Sequence, residues 1–157
     1  KPRRPINGHS WIARPMQRII VATDGSPDAN RAVDVAARLA KATGASLTIM
    51  TVGGQISGAE LRRLASHDGD LSEAMKSAVN KILKQAQKRA VRMGVAAPKL
   101  RYGWGDAGET IIDVVSSEKA DFLVVGRRGR GRLTGLLLGS VSQKLASLAP
   151  CIVMVVP

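Results

Sequence analysis

Two short stretches hold the residues with the means to grip a charged ligand. One is Asp24, at the end of the apolar run in "RIIVATDGS"; the other is the tract "VVGRRGRGRLTGLLLGSVS", Val124 to Ser142. In the tract, Gly126 and Gly129 let backbone amides approach a ligand with no side chain in the way, and Gly139-Ser140 stands where a helix begins. A helix start presents unpaired N–H groups and partial positive charge, which suits a phosphate. Ser140 and Ser142 add hydroxyl donors, and Arg127, Arg128, Arg130 and Arg132 can neutralise phosphate charge. The same residues admit a plainer use, in which the glycines turn the chain, Ser140 caps a helix and Asp24 steadies the turn that follows it. The arginines also suit nucleic acid, held in a salt-sensitive and sequence-blind way.

These loops need elements to position them, and the patterning supplies them. "RIIVAT" is a buried parallel strand by its β-branched run. Ser26 then caps a helix with Pro27 in its first position, closed by Gly44. "SLTIMTV" reads as a second strand, followed by a polar, glycine-rich loop with at most one helical turn around Leu61 to Leu64. A long amphipathic helix runs from Leu71 to Met93, with Met75, Val79, Ile82, Leu83 and Ala86 as its apolar stripe and Lys81, Lys84, Lys88 and Arg92 as a solvated face. "PKLRYGW" is a third strand, Asp106 caps a helix, "DFLVVG" is a fourth strand, and "SVSQKLASLA" leads to the last strand, "CIVMVV". Strands alternating with helices in this way predict an α/β fold: a single-domain, open, parallel five-stranded sheet with helices on both faces. Ligands of such sheets sit beyond the carboxyl ends of the strands where the order reverses. That places the site at the ends of strands one and four, where "ATDGS" and "VGRRG" stand.

Composition sets the outer bounds. At 157 residues the chain has the length of one domain, enough to bury roughly 70% of the surface its unfolded form exposes. No apolar run approaches the roughly 20 residues of a membrane span, so no membrane role is expected. One cysteine, Cys151, rules out an internal disulfide and reads as a small buried hydrophobe; with no Cys/His metal spacing, the expectation is a reducing, cytoplasmic setting. The net charge is +12, of which Lys1, Arg3, Arg4 and Arg14 supply four units. Residues 1–15 form a basic, proline-bearing extension without apolar periodicity, either disordered or left by cloning, or else a basic arm; residues 16–157 form the domain.

The tract is neither the usual phosphate loop nor the dinucleotide fingerprint. It reads glycine, two residues, glycine, nine residues, glycine, then serine: Gly126, Gly129, Gly139 and Ser140. With "RIIVATDGS", "SLTIMTV" and "CIVMVV", it closely resembles the universal stress protein family in its ATP-binding branch, over Met16 to Pro157. The resemblance implies an adenine nucleotide alpha hydrolase-like, Rossmann-like domain. It implies that Asp24 lies near the ribose and a phosphate-bound magnesium ion, with Ala22 and Thr23 on the adenine side and Val52 or Thr51 against the base. Val125, Gly126, Arg128 and Gly129 would border the ribose and phosphates, and Gly139, Ser140, Val141 and Ser142 would take phosphate oxygens. It also implies a homodimer paired through the last strand, Ile152 to Val156. The arginines are denser than the family pattern requires.

The expected function is ATP binding with a regulatory role in stress response. Four hydrogen bonds to charged oxygens contribute about 6–12 kcal/mol, against at least about 4 for association, so the adenine pocket must contribute to tight binding. No His or Glu stands in the glycine loop to position water, so slow ATP hydrolysis is the most expected of it. Two other readings stand beside this one: a nucleotide-free dimeric module docking a partner protein or nucleic acid, and, more weakly, an ATP-dependent transferase or ligase. Aromatics make up only 3% of the chain, which argues against stacking of single-stranded nucleic acid.

Overall fold

The computed structural model describes residues 15–54, 71–131 and 137–157. Its strands are β1 (Arg18–Ala22), β2 (Ser46–Gly53), β3 (Lys99–Trp104), β4 (Phe122–Gly126) and β5 (Ile152–Val156). The helices are α1 (Pro27–Thr43), α2 (Leu71–Arg92), α3 (Ala107–Ser117) and α4 (Ser140–Leu148). All strand pairs are parallel, in the order β3-β2-β1-β4-β5. The order therefore reverses between β1 and β4, where the sequence places the site. The polar loop with the turn expected near Leu61, the basic leader through Arg14, and Arg132 lie outside the described residues.

Alternation along the strands divides the core in two. Ile19, Val21, Leu47, Ile49 and Val124 pack against α1 and α2, whereas Ile20, Met50, Leu123 and Val125 pack against α3 and α4. Ala32, Ala36 and Ala40 of α1 are almost fully buried, and small side chains there let the helix lie close on the sheet. On α2, Val79, Leu83 and Ala86 are core residues as the periodicity predicts, and Ala90 joins them. Ile82 is only half-buried.

Local chemistry fixes the ends of the elements that frame the site. The Ser26 hydroxyl accepts from the Ala29 amide at 3.3 Å, with Pro27 following, and Gly44 ends α1 at φ 71°. The Asp106 carboxylate accepts from the Glu109 amide at 2.9 Å to start α3. At the opposite, amino end of the sheet, the Asp121 carboxylate accepts from the amides of Gln17 and Arg18, both at 2.9 Å. That anchors β1 to β4 before either strand reaches the site.

Candidate functional site

The β1–α1 loop and the glycine loop after β4 are stitched together by side chains of the first and backbone groups of the second. Asp24 accepts from the Ser26 amide with Oδ1 and from the Arg130 amide with Oδ2, both at 2.9 Å. Asp28 accepts from the Arg128 amide at 3.1 Å, and the Ser26 hydroxyl donates to the Arg128 carbonyl at 3.4 Å. The peptide of Arg127 closes the base of the loop. Its amide donates to the Val156 carbonyl at 2.6 Å, and its carbonyl accepts from the Gly139 amide and the Ser142 hydroxyl at 2.9 Å.

The glycines divide by role. A Cβ on Gly126 would lie 2.7 Å from the backbone of Asp28 and Ala29, so this glycine is required by the close packing of α1 on β4. A Cβ on Gly129 would lie 2.6 Å from Asp24 Oδ2 and would break the stitch. Gly139 differs: its φ is −71°, and the nearest atom to an added Cβ is 3.5 Å away, an ordinary contact. Gly126 and Gly129, read in the sequence as openings for ligand access or as turns, are thus also required by packing, while Gly139 is not.

Between these loops, β2 and the starts of α3 and α4 lies a cavity of about 170 Å³. Every residue that the resemblance assigns to nucleotide contact lines it, as does Arg130, whereas Arg127, one of the arginines read as neutralising phosphate, does not. Ala22, Thr23 and Asp24 come from the end of β1; Thr51 and Val52 from β2; Val125, Gly126, Arg128 and Gly129 from β4 and its loop; Gly139, Ser140, Val141 and Ser142 from the start of α4. Sequence reasoning missed Met50, Ala107 and Ile111, which give the cavity an apolar floor and wall. Their signal was only that of core residues. Asp28 was missed as well, since an acidic residue in the first turn of a helix is ordinary in itself.

The α4 start brings backbone amides and hydroxyls to the wall. Ser26 caps α1 and Asp106 caps α3, but α4 begins at Gly139 with no capping side chain. Its first-turn amides are therefore left to another acceptor, and the helix's partial positive charge faces the cavity. The buried Ser142 hydroxyl already bonds the carbonyls of Arg127 and Gly139, both at 2.9 Å, so Ser140 is the exposed hydroxyl of the pair.

Asp24 is the carboxylate on the cavity wall, and among the described residues no group of three or more His, Cys, Asp or Glu side chains stands close enough to hold a metal. Also among the described residues, no helix is long and apolar enough to cross a membrane. Cys151 is half-buried just before β5, and burial pushes its thiol from the usual 9 up to about 11.

The profile of the universal stress protein family matches residues 15–157. Universal stress protein YxiE of Bacillus subtilis is 31% identical over 145 residues, covering 88% of this chain and 97% of that one. The crystal structure of a universal stress protein in complex with cAMP is 30% identical and superposes with a TM-score of 0.70, covering 91% of this chain and 98% of the other. The structure of UspA from Lactobacillus plantarum, 23% identical over 92% of this chain and 99% of its own, has the same fold, with a TM-score of 0.74.

Proposed function

The chain belongs to the universal stress protein family, and we propose that it is a regulatory adenine-nucleotide-binding protein that takes ATP in the cavity between the β1–α1 loop and the glycine loop. The observation that carries this reading is the α4 start, a helix without a side-chain cap opening on a cavity whose remaining floor is apolar. An uncapped helix start suits phosphate oxygens, and Met50, Ile111 and Val125 suit a flat apolar base. The related structure that holds cAMP supports an adenine nucleotide as the guest.

In this arrangement the amides of Ser140 and Val141 and the Ser140 hydroxyl bind phosphate oxygens, and Arg128 screens their charge. Val52 and Ala22 lie against the base. Magnesium normally binds through one or two carboxylates plus nucleotide phosphates, and Asp24 fits as that carboxylate, so an ion arriving with ATP would offset phosphate charge there. In a cytoplasmic homodimer, binding would alter the loops' shape and the partners they meet.

The test is a calorimetric titration of nucleotide-freed protein with ATP and magnesium, beside a Gly139→Arg variant. A Cβ on Gly139 meets nothing closer than 3.5 Å and Gly139 lines the cavity, so the arginine is expected to block the cavity while the fold is kept. Saturable binding lost in the variant is the expected result; no saturable binding to the native protein overturns the proposal. Exposed Tyr102 and Trp104 on one face of the edge strand β3, ring centroids 6.3 Å apart, on a chain of net charge +12, favour a second reading as a polyanion-docking module. Such binding would collapse with salt and ignore Gly139→Arg.

A further inference from the structure

A second cavity, of about 280 Å³, adjoins the first and shares Asp24, Thr51, Val52 and Arg130 with it. It lies between the end of β2 and α2, where Ile82 faces space instead of core. Thr51 continues the alternation of Leu47 and Ile49 toward α2. It is only 3% exposed and lines both cavities, so its hydroxyl can donate to or accept from a ligand there.

The rest of the lining says what kind. Ala78, Val79 and Ile82 form an apolar wall, and Gln85 adds an amide that both donates and accepts. Apolar walls with a few hydrogen-bonding groups suit a flat heterocycle. Cations stand on the same wall and at the seam. Lys81 lines the second cavity, and the Arg130 guanidinium lies over Gly25, 3.3 Å from where a Cβ would be and close to Ile82. The second space, at about 280 Å³, is of a size to admit a flat ring beside its apolar wall.

We propose that this second cavity is a subsite for the second nucleoside of a dinucleoside polyphosphate. Its phosphate chain would run past Arg130 and Lys81, and its far base would lie between the wall of α2 and the Thr51 hydroxyl. The inference rests on the reading of the first cavity as a nucleotide site.

The experiment titrates the full chain with ATP and with diadenosine tetraphosphate, which carry similar charge, so a difference between them reports the second nucleoside. Adenosine tetraphosphate serves as the control for a longer phosphate chain alone. Diadenosine tetraphosphate is expected to bind at least about tenfold tighter than either. Lys81→Ala and Gln85→Ala, at exposed positions of α2, are expected to abolish that advantage and to leave ATP affinity within about twofold. Thr51→Val, which removes the hydroxyl at nearly constant volume, is expected to reduce the advantage as well. Equal affinity for diadenosine tetraphosphate and ATP overturns the subsite and leaves the nucleotide site standing, as does an advantage that both α2 variants retain. A matching gain from adenosine tetraphosphate assigns the cations to phosphate alone and also overturns it. Absence of binding by all three overturns both proposals.

Discussion

At the scale of single residues, Asp24 has a task independent of any metal. Its oxygens hold the amides of Ser26 and Arg130, so it sets the distance between the two loops that form the cavity. Asp24→Ala leaves two amides without their acceptor and should cost about 2 kcal/mol of stability in urea unfolding. If loop spacing is its main contribution to binding, the variant's ATP affinity falls by a similar factor with magnesium and with EDTA. A loss seen only with magnesium would make it chiefly a metal ligand. Gly126 and Gly139 separate in the same way. Gly126→Ala drives a methyl into the backbone of α1 and should destabilise by about 1–3 kcal/mol, whereas Gly139→Ala should leave the urea midpoint essentially unchanged. Cys151, with its thiol at about 11 against the usual 9, holds about a hundredfold less thiolate at pH 8 than an ordinary cysteine. Its alkylation by iodoacetamide should be correspondingly slow and should speed up about tenfold per pH unit toward pH 10.

At the scale of elements, the start of α3 carries a pH dependence whose sign can be worked out. The Glu109 amide and then the Lys144 ammonium hold the Asp106 carboxyl below the ordinary carboxylate range. A carboxylate with a depressed folded-state pKa contributes stability that is full above its ordinary value and lost as pH falls through the folded one. Asp106→Ala should therefore be less stable than the native protein at pH 7, with the gap in urea midpoint closing as the pH falls below 4. Asp106 also shows what was legible in the sequence. It was readable as a cap because Asp-x-x-Glu before an apolar run is a local signal, and so were Ser26-Pro27 and Gly44. The strands were readable because each is a short β-branched run. The α4 start was legible as a helix beginning, whereas the bond from the Ser142 hydroxyl to the Arg127 carbonyl was not. That pairing, like the stitches from Asp24 and Asp28 to Arg130 and Arg128, joins residues far apart in the chain through one hydrogen bond each. Local periodicity carries no trace of such contacts, nor of Gly126 being needed by α1 or of Ile82 leaving the core.

At the scale of the whole molecule, the sheet order leaves two edges, β3 and β5, and they are not alike. β3 presents Lys99 and Arg101, and charge on an edge strand opposes pairing with another chain. β5 reads Ile-Val-Met-Val-Val with no charge, and Ile152 at its start is 44% exposed. On a chain of net charge +12, a self-association surface has to be found where the positive charge is absent, and β5 offers such a place. Two copies pairing there about a two-fold axis would join both sheets and cover the uncharged edge. Light scattering at micromolar concentration should accordingly give about twice the 16.6 kDa of the chain. The double variant Ile152→Lys, Met154→Lys sets like charges against one another across that axis and should return the mass to that of one chain. Ile152 pairs with Phe122, at the end of the sheet away from the cavity, so the monomeric variant should still bind ATP. A native mass of one chain would overturn the dimer itself, and a double variant that stays dimeric would move the interface off β5. Retained binding in the monomer would show that each copy carries a whole site, whereas loss of binding would mean that the β5 pairing holds Val156, and through its carbonyl the Arg127 peptide, in place for the glycine loop.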